Sequence, residues 1–356
     1  MTLPLAQDLP LTQDKQPSPL PAARAAFNRL PFARDLRFVA RRLLKALPLL
    51  LAVVLFNFCL LKLAPGDAAE VLAGESAAAT PEYLAELRAR FGLDQPVHVQ
   101  LFHYLWKLAQ FDLGYSFRHN MSVRELIMGR LPATLLLMAS ALTLAVTIGA
   151  MLGVLASNKV NSWRDTLISV FAMLSFATPV FWMGLMMIVL FSVNLGWLPS
   201  SGMETIASGR TGFSYIVDVS RHMVMPVATL ALFYVAVYTR VMRASMLEVF
   251  NQDYVTTARA KGLSENRITL RHVLRNALLP LVTLLGVQMG TMLGGSVLVE
   301  TVFSWPGLGR LAFEAVFQRD INLLLGILLS CSFVVIAANI LVDVAYTKLD
   351  PRIAMS

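Results

Sequence analysis

Charged residues are scarce in this chain. They make up only 15% of its 356 residues, whereas hydrophobic residues make up 56%. An ordinary soluble domain carries about 25% charged residues, so the composition excludes an ordinary soluble enzyme. Six apolar stretches account for the excess, and each is near the roughly twenty residues that cross a hydrocarbon core. The sequence therefore predicts an all-α polytopic membrane protein with transmembrane helices at about 43–63, 132–156, 167–193, 223–243, 279–299 and 322–346.

The sequence also lacks the motifs that bind metals, phosphates or thiol-linked groups. Cys59 and Cys331 both lie inside apolar runs, which excludes a disulfide framework and a thiolate metal site. The five histidines are scattered, and the chain has neither a His-Glu-x-x-His motif nor a Gly-Lys dipeptide, so it lacks a phosphate-binding loop. We therefore expect no catalytic residue, no metal and no cofactor bound by this chain, and no ATP hydrolysis by the chain alone.

The formal net charge of +8 does not indicate nucleic acid binding, because the basic residues lie at the ends of apolar segments. Connections on one side of the predicted spans carry nineteen basic and eight acidic residues, against ten and thirteen on the other. The positive-inside rule then places both termini in the cytoplasm. Lys62 and Asp343 lie near span ends, and deep carboxylates, which an ion-coupled carrier needs, are not evident. A secondary carrier, a channel and a membrane enzyme are thus less favoured alternatives.

The predicted domain order follows from these spans. A Pro-rich tail covers 1–37, and an amphipathic lead-in with the first span covers 38–63. An outer segment at 64–131 should contain two small helices, one starting at Thr80-Pro81-Glu82 and stopping near Gly92, and another at about Val97 to Ala109. The five-helix core covers 132–346, including a connection at 248–278, and a short tail covers 347–356.

Small and polar residues divide the faces of the predicted spans. Gly286, Gly290 and Gly294 recur every four residues, which predicts a ridge for close helix packing. Gln288 and Thr291 lie on the opposite face, where they either line a translocation path or form interhelical hydrogen bonds. Pro179 should kink the third span, with Thr178 or Ser175 satisfying the freed carbonyls. Ser175, Thr178, Gln288 and Thr291 are the predicted path residues.

The connection between the fourth and fifth spans is basic but patterned as helix. Residues 251–280, hereafter the elbow segment, should form one helix that ends at Lys261 with Gly262 as a left-handed cap, and a second that begins at Ser264. In the second helix, one apolar face is predicted from Leu270, Val273, Leu274, Ala277, Leu278 and Leu281. Two short helices at a glycine elbow make a rigid knob for another protein, although a loop bound to lipid headgroups is an equal alternative.

The elbow segment resembles the cytoplasmic signature loop of ABC importer permeases, in which Glu-Ala-Ala is followed after three residues by glycine and later by a Leu-Pro end. In this sequence, the Glu-Ala-Ala positions are occupied by Thr256, Thr257 and Ala258. Gly262 matches the glycine, and Leu279-Pro280 matches the distal Leu-Pro. Where the segment departs from this general form, it resembles the peptide-importer branch of these permeases. Further matches in order are Ala64-Pro65-Gly66-Asp67, Phe111 to Ser116, Glu300 to Phe303, Trp305 to Gly309, and Leu349 to Arg352.

This resemblance implies a non-catalytic permease subunit of a bacterial inner-membrane importer. Its partners would be a second, related six-span permease, two ATPase subunits that bind ATP and Mg²⁺, an external substrate-binding protein and membrane lipid. Di- or oligopeptides are the favoured cargo, and nickel chelates, glutathione and other small solutes are alternatives. The implied ATPase-coupling residues are Thr257, Ala258, Arg259, Ala260, Lys261, Gly262, Leu263 and Ser264. Trp305, Pro306 and Gly307 would lie at the outer mouth, as a gate, a docking surface or a tight turn.

Overall fold

The computed structural model describes the backbone of residues 31–63, 70, 80–90 and 92–349. The chain divides into two units, 1–47 and 48–356, and the described part of the first unit, residues 31–47, is helical. Three predictions lie outside the described residues: most of the Pro-rich tail, the motif Ala64 to Asp67, and the tail beyond residue 349. The contacts described below all lie within the second unit.

Almost all described residues are helical. The helices are α1 (Pro31–Leu63), α2 (Pro81–Arg90), α3 (Val97–Ala109), α4 (Val123–Asn158), α5 (Trp163–Ala177), α6 (Val180–Met187, continued by a π-helical stretch Ile188–Asn194), α7 (Phe213–Phe250), α8 (Asp253–Ala260), α9 (Glu265–Arg267, continued by a π-helical stretch Ile268–Val273), α10 (Leu274–Ala277), α11 (Leu279–Val302), α12 (Leu308–Gln318) and α13 (Ile321–Leu349). Between α3 and α4, β1 (Tyr115–Ser116) pairs antiparallel with β2 (Met121–Ser122), with Tyr115 opposite Ser122.

Within the described residues, five helices are long and apolar enough to cross a membrane, and the number rises to six if one broken pair is counted as a span. That pair is α5 and the α6 stretch, whose axes differ by 103° across Thr178 and Pro179. A single kinked span was predicted here; the structure instead breaks it into two helices. Proline removes a backbone donor and clashes with the preceding turn, and the Thr178 hydroxyl donates to the Leu174 carbonyl at 2.7 Å.

The centre of the bundle is the packing of α4 along α7. Gly149 and Gly153 of α4 face Tyr238 and Met242 of α7 so closely that a Cβ on Gly153 would lie 2.5 Å from the Met242 Cβ. Small residues spaced by four allow this approach. Both helices exceed the predicted spans: α4 begins at Val123 and passes through Pro132, and α7 covers 38 residues. A continuous apolar window identifies a crossing but not the polar turns that extend the helix beyond it.

The glycine ridge of α11 meets α13 over part of its length. A Cβ on Gly286 would lie 3.0 Å from the Asn339 Oδ1 atom, and one on Gly290 would lie 3.8 Å from Val335. A Cβ on Gly294 would have no neighbour within 4 Å among the described residues, so a packing role for Gly294 stays a prediction. The neighbouring Gly295 contacts Leu230 and Tyr234 of α7 instead. The ridge therefore ends where α11 turns from one partner helix to another.

The segment before α4 is fixed to the bundle by a few contacts. The two helices predicted there end as expected, with Gly92 at φ 66° after α2. Tyr104 of α3 contacts the Phe58 ring at 5.7 Å between centroids. The hairpin, which was not predicted, is held by a hydrogen bond from Ser116 to the buried Asp320 before α13. Ser116, the last residue of the Phe111 to Ser116 motif, thus has a structural role.

Candidate functional site

The glycine elbow has the predicted left-handed geometry. Helix α8 ends at Ala260, and Gly262 has φ 77°. The Leu263 amide donates to the Ala258 carbonyl and the Gly262 amide donates to the Arg259 carbonyl, at 3.3 and 2.9 Å. These two bonds form a Schellman motif, which satisfies the last carbonyls of a helix and favours glycine at the left-handed position. No atom lies within 4 Å of a Cβ added at Gly262, so its backbone angle alone demands glycine.

Helix α8 is anchored on one side and exposed on the other. Val255 and Ala258 are buried in the same apolar cluster as α4 and α7. The exposed remainder begins with Asp253 and Tyr254 and continues with small or basic residues, namely Thr256, Thr257, Arg259, Ala260, Lys261 and the adjoining Gly262. Arg259 reaches across the elbow to the Glu265 carboxylate, with its Nε 2.9 Å from Oε1. The coupling residues therefore form one short, exposed projection that carries Arg259 and Lys261, with Leu263 half-buried and Ser264 exposed beside it.

The second half of the elbow segment begins at Ser264 as predicted, but its apolar face is not the predicted one. Ile268 is fully buried, whereas Leu270 is 64% exposed. The π-helical stretch 268–273 explains this correction, because bonds from residue i to i+5 rotate the following side chains relative to an α-helical register. Val273, Ala277 and Leu281 are buried as expected. The Asn276 amide donates to the Tyr254 hydroxyl at 2.7 Å, which ties this half back to α8.

The four predicted path residues are only partly brought together. Gln288 and Thr291 contact each other on α11, where the Thr291 hydroxyl donates to the Gln288 side-chain oxygen at 2.7 Å. Thr291 is exposed and Thr178 is half-buried at the break between α5 and α6. Ser175 is only 5% exposed, so it lines no open surface in this conformation. A path along Gln288, Thr291 and Thr178 stays a prediction.

Trp305 is an interior anchor of the turn between α11 and α12. Its side chain is fully buried, and its indole Nε1 donates to the Ala133 carbonyl of α4 at 2.9 Å. The Gly307 amide donates to the Trp305 carbonyl at 2.8 Å, across Pro306. Trp305 thus offers no surface for docking in this chain, which favours the tight-turn interpretation of the motif. Its position at the outer mouth stays a prediction.

Sequence analysis missed the carboxylate beneath this turn. Glu300 is fully buried near the end of α11 and accepts hydrogen bonds from the Thr134 hydroxyl at 2.8 Å and the Arg310 amide at 3.0 Å. The Thr134 oxygen in turn accepts from the Leu308 amide at 2.7 Å. A carboxylate at the first turn of α12 satisfies its free amides and complements the helix dipole. We call Thr134, Glu300, Trp305, Gly307, Gly309 and Arg310 the Glu300 junction.

Two further carboxylates, which lie just outside the predicted spans, are buried near the starts of span helices. Asp165, near the start of α5, binds Arg243 of α7 through two hydrogen bonds of 2.7 Å. Asp218 of α7 accepts from the Thr205 backbone amide at 2.7 Å and pairs with Arg210. An acidic residue just outside a predicted span was the available signal. Each of these carboxylates has a partner, which is the arrangement of a structural ion pair rather than of a proton relay.

The arrangement of helices is shared with a solved structure. A solved structure titled as an inward-facing MetNI methionine ABC transporter superposes on 64% of this chain and 97% of its own, with a TM-score of 0.51 and 17% sequence identity. At that identity the likeness shows the shared fold alone.

The particular family is given by the sequence. Residues 145–355 match the family model described as binding-protein-dependent transport system inner membrane component, and residues 35–138 match that of its N-terminal region. The chain belongs to this family. It is therefore a multi-span permease subunit of a binding-protein-dependent transporter of the bacterial inner membrane.

Similar proteins carry names of peptide permeases. A putative peptide permease protein of Brucella ovis is 43% identical over 322 residues, which is 90% of this chain and all of the relative. The oligopeptide transport system permease protein AppB of Bacillus subtilis and the di/tripeptide transport system permease protein DppB of Pseudomonas aeruginosa are each 40% identical, over 89% of this chain and 98% of the relative.

Proposed function

We propose that this chain is the permease subunit through which partner ATPase subunits drive import of di- or oligopeptides, with the force entering at the elbow segment. One observation carries the coupling part: α8 exposes one side that ends in a Schellman cap at Gly262, while its other side is buried in the bundle core. ATP and Mg²⁺ would be bound by the ATPases. A second permease and an external binding protein complete the proposed complex.

The contacts of the elbow segment suit transmission of motion. Val255 and Ala258 of α8, together with Ile268 and Val273 of the second half, belong to one apolar cluster with α4 and α7. The chain passes directly from α7 into α8, and from α10 into α11. A displacement applied at α8 therefore acts on two span helices through packed side chains, which move as discrete units rather than deform continuously.

The elbow is tested by substituting Gly262. Valine is disfavoured at φ 77°, so Gly262→Val should reduce peptide uptake about fivefold or more while the complex still assembles and hydrolyses ATP. Gly262→Asn should retain most uptake, because asparagine tolerates the left-handed region. Gly92→Val is the matched control, since Gly92 caps α2 with the same motif and φ 66°. Normal uptake by Gly262→Val would refute coupling at the elbow.

The proposed cytoplasmic position of the elbow has a separate test. Lys261→Cys, in a chain with Cys59 and Cys331 replaced by serine, should resist an impermeant thiol reagent on intact spheroplasts and react after lysis. Because Lys261 is exposed in the structure, burial within the chain does not mimic protection. Reaction on intact cells would place the elbow outside and overturn the coupling proposal.

The peptide cargo is proposed from the names of the relatives, and direct uptake tests it. The reconstituted complex with its binding protein should take up labelled tri-alanine in the presence of ATP, and not without it. Unlabelled glutathione and a nickel chelate, each added in excess, should compete less well than an unlabelled tripeptide. Stronger competition by either would change the cargo class but leave the importer assignment intact, whereas uptake driven by an ion gradient without ATP would indicate a secondary carrier.

A further inference from the structure

An arginine without an acidic partner among the described residues lies on the exposed side of α7. Arg240 belongs to a helix that crosses the membrane, and the structure leaves it exposed. Its guanidinium carbon lies 4.6 Å from the centre of the Phe176 ring of α5. An arginine in a span is costly and usually marks a functional pathway or a paired partner. Arg240 therefore needs an explanation beyond helix packing.

The position of Arg240 argues against a role at the membrane surface. The nearby Asp165–Arg243 pair marks the end of the bundle, because Asp165 lies in the first turn of α5. Phe176 is eleven residues further along α5, about 16 Å at the helical rise. Helical side chains lean towards the helix N-terminus, and the contact with Phe176 shows that Arg240 extends this way, into the span. Snorkelling to a lipid headgroup would require the opposite direction.

The surroundings of the guanidinium form a row of aromatic rings. Phe176 stacks on Phe233 of α7 at 5.1 Å, and Phe233 meets Tyr234 at 5.2 Å. Tyr234 lies against Gly295 of α11, the helix that carries Gln288 and Thr291. Among the residues that the structure describes, no acidic side chain pairs with Arg240. The site thus combines an available cation with an apolar wall beside the predicted path.

We propose that Arg240 binds the C-terminal carboxylate of a peptide in transit, while the rings of Phe176 and Phe233 contact its apolar side chains. This inference rests on the proposed peptide cargo. A free carboxylate is the one charged group that every unmodified linear peptide carries at its C-terminal end, and it accepts paired hydrogen bonds from a guanidinium. Ring faces accept side chains of varied shape, which suits a path that must pass many sequences.

The test compares two probes in the complete transporter, reconstituted with its binding protein. Arg240→Gln should lower uptake of tri-alanine about tenfold, the size expected for loss of one charge-assisted hydrogen bond, and uptake of tri-alanine amide less than about twofold. For each probe, the uptake by the variant is divided by that of the wild type. Any preference of the binding protein for one probe cancels from this ratio, because the same binding protein serves both transporters. Arg240→Lys should restore most uptake of the acid. Arg221→Gln is the control, an exposed arginine on the same helix.

A second measurement needs no binding protein. In complexes held in lipid nanodiscs, Val237→Cys, three residues before Arg240 on the same side of α7, is alkylated in a background without Cys59 and Cys331. Tri-alanine should slow this reaction and its amide should not, and the difference should vanish with Arg240→Gln. Equal rates with the two probes overturn the proposal.

The remaining outcomes separate the hypotheses. Equal losses of acid and amide uptake, or loss of the assembled complex, would assign Arg240 to a structural contact, such as a carboxylate of the second permease, and overturn the cargo contact. Unchanged uptake in Arg240→Gln overturns it as well. If the wild-type transporter takes up no tri-alanine, it is the peptide cargo of the proposed function that fails.

Discussion

The Glu300 junction and the elbow segment both depend on glycine, for opposite reasons. At the junction, Gly309 is required by space, because a Cβ there would lie 2.7 Å from the Val297 Cα atom. At the elbow, Gly262 is required by its φ of 77°, and its surroundings are open. The junction is buried with its polar groups paired, whereas the elbow is exposed on one side. The first region holds three helices together, and the second is free to meet another protein.

The contrast also separates two kinds of charge. Glu300 is fully buried and satisfied by Thr134 and the first amides of α12. Arg259 and Glu265 pair across the elbow with side chains that are 44% and 65% exposed. Buried polar groups are costly when one partner is removed, while exposed pairs contribute little. Substitutions should therefore act on stability at the junction and on coupling at the elbow.

The largest effect on stability is expected at Gly309. In Gly309→Ala the new methyl group would press against the α11 backbone, which cannot move aside as a side chain end does, and overpacking of this kind costs about 3 kcal/mol. Purified complexes should melt well below wild type or fail to accumulate in the membrane. Gly294→Ala is the control, because Gly294 lies in α11, the helix that Gly309 contacts, and a Cβ there would have no described atom within 4 Å. Equal melting of the two variants would contradict the space argument.

Removing the junction carboxylate should rank next. Glu300→Ala leaves the Thr134 hydroxyl and the Arg310 amide without their acceptor, at a cost of about 2 kcal/mol. Glu300→Gln keeps one acceptor oxygen and should cost roughly half as much. Thermal melting of the detergent-purified complex measures both. If glutamine and alanine destabilise equally, the hydrogen bonds to this carboxylate are not what holds α12 in place.

Thr134 tests whether the junction acts as a connected network. Its oxygen accepts from the Leu308 amide while its hydroxyl donates to Glu300, so Thr134→Val breaks both bonds without changing side-chain volume much. A loss of about 1 to 2 kcal/mol is expected. Combined with Glu300→Ala, the two losses should be less than additive, because the variants share one bond. Strict additivity would show that the two residues act independently.

Sequence patterns predicted much of this fold because apolar length and turn residues act locally. The start and end of α2 followed from Thr80-Pro81 and Gly92, and the end of α8 followed from Gly262. The depth of the break at Pro179 and the π-helical turn that buries Ile268 depend on packing against other helices, which no local pattern records. For the same reason Glu300 looked like the polar end of a span. Its partners, Thr134 and the α12 amides, are brought to it only by the folded chain.

The smallest effect on stability is expected at the exposed ion pair of the elbow. Arg259→Gln removes the ion pair to Glu265 and should change stability by less than about 0.5 kcal/mol, because exposed pairs are solvated and screened. If α8 is the surface that an ATPase contacts, the same variant should still lower ATP-driven uptake measurably, since it alters the charge presented to the partner.

Arg275→Gln is a suitable control, since Arg275 is exposed on the same segment but outside α8. A drop in melting temperature as large as that of Glu300→Gln would make the elbow a structural element like the junction, and unchanged uptake would remove Arg259 from the proposed coupling surface.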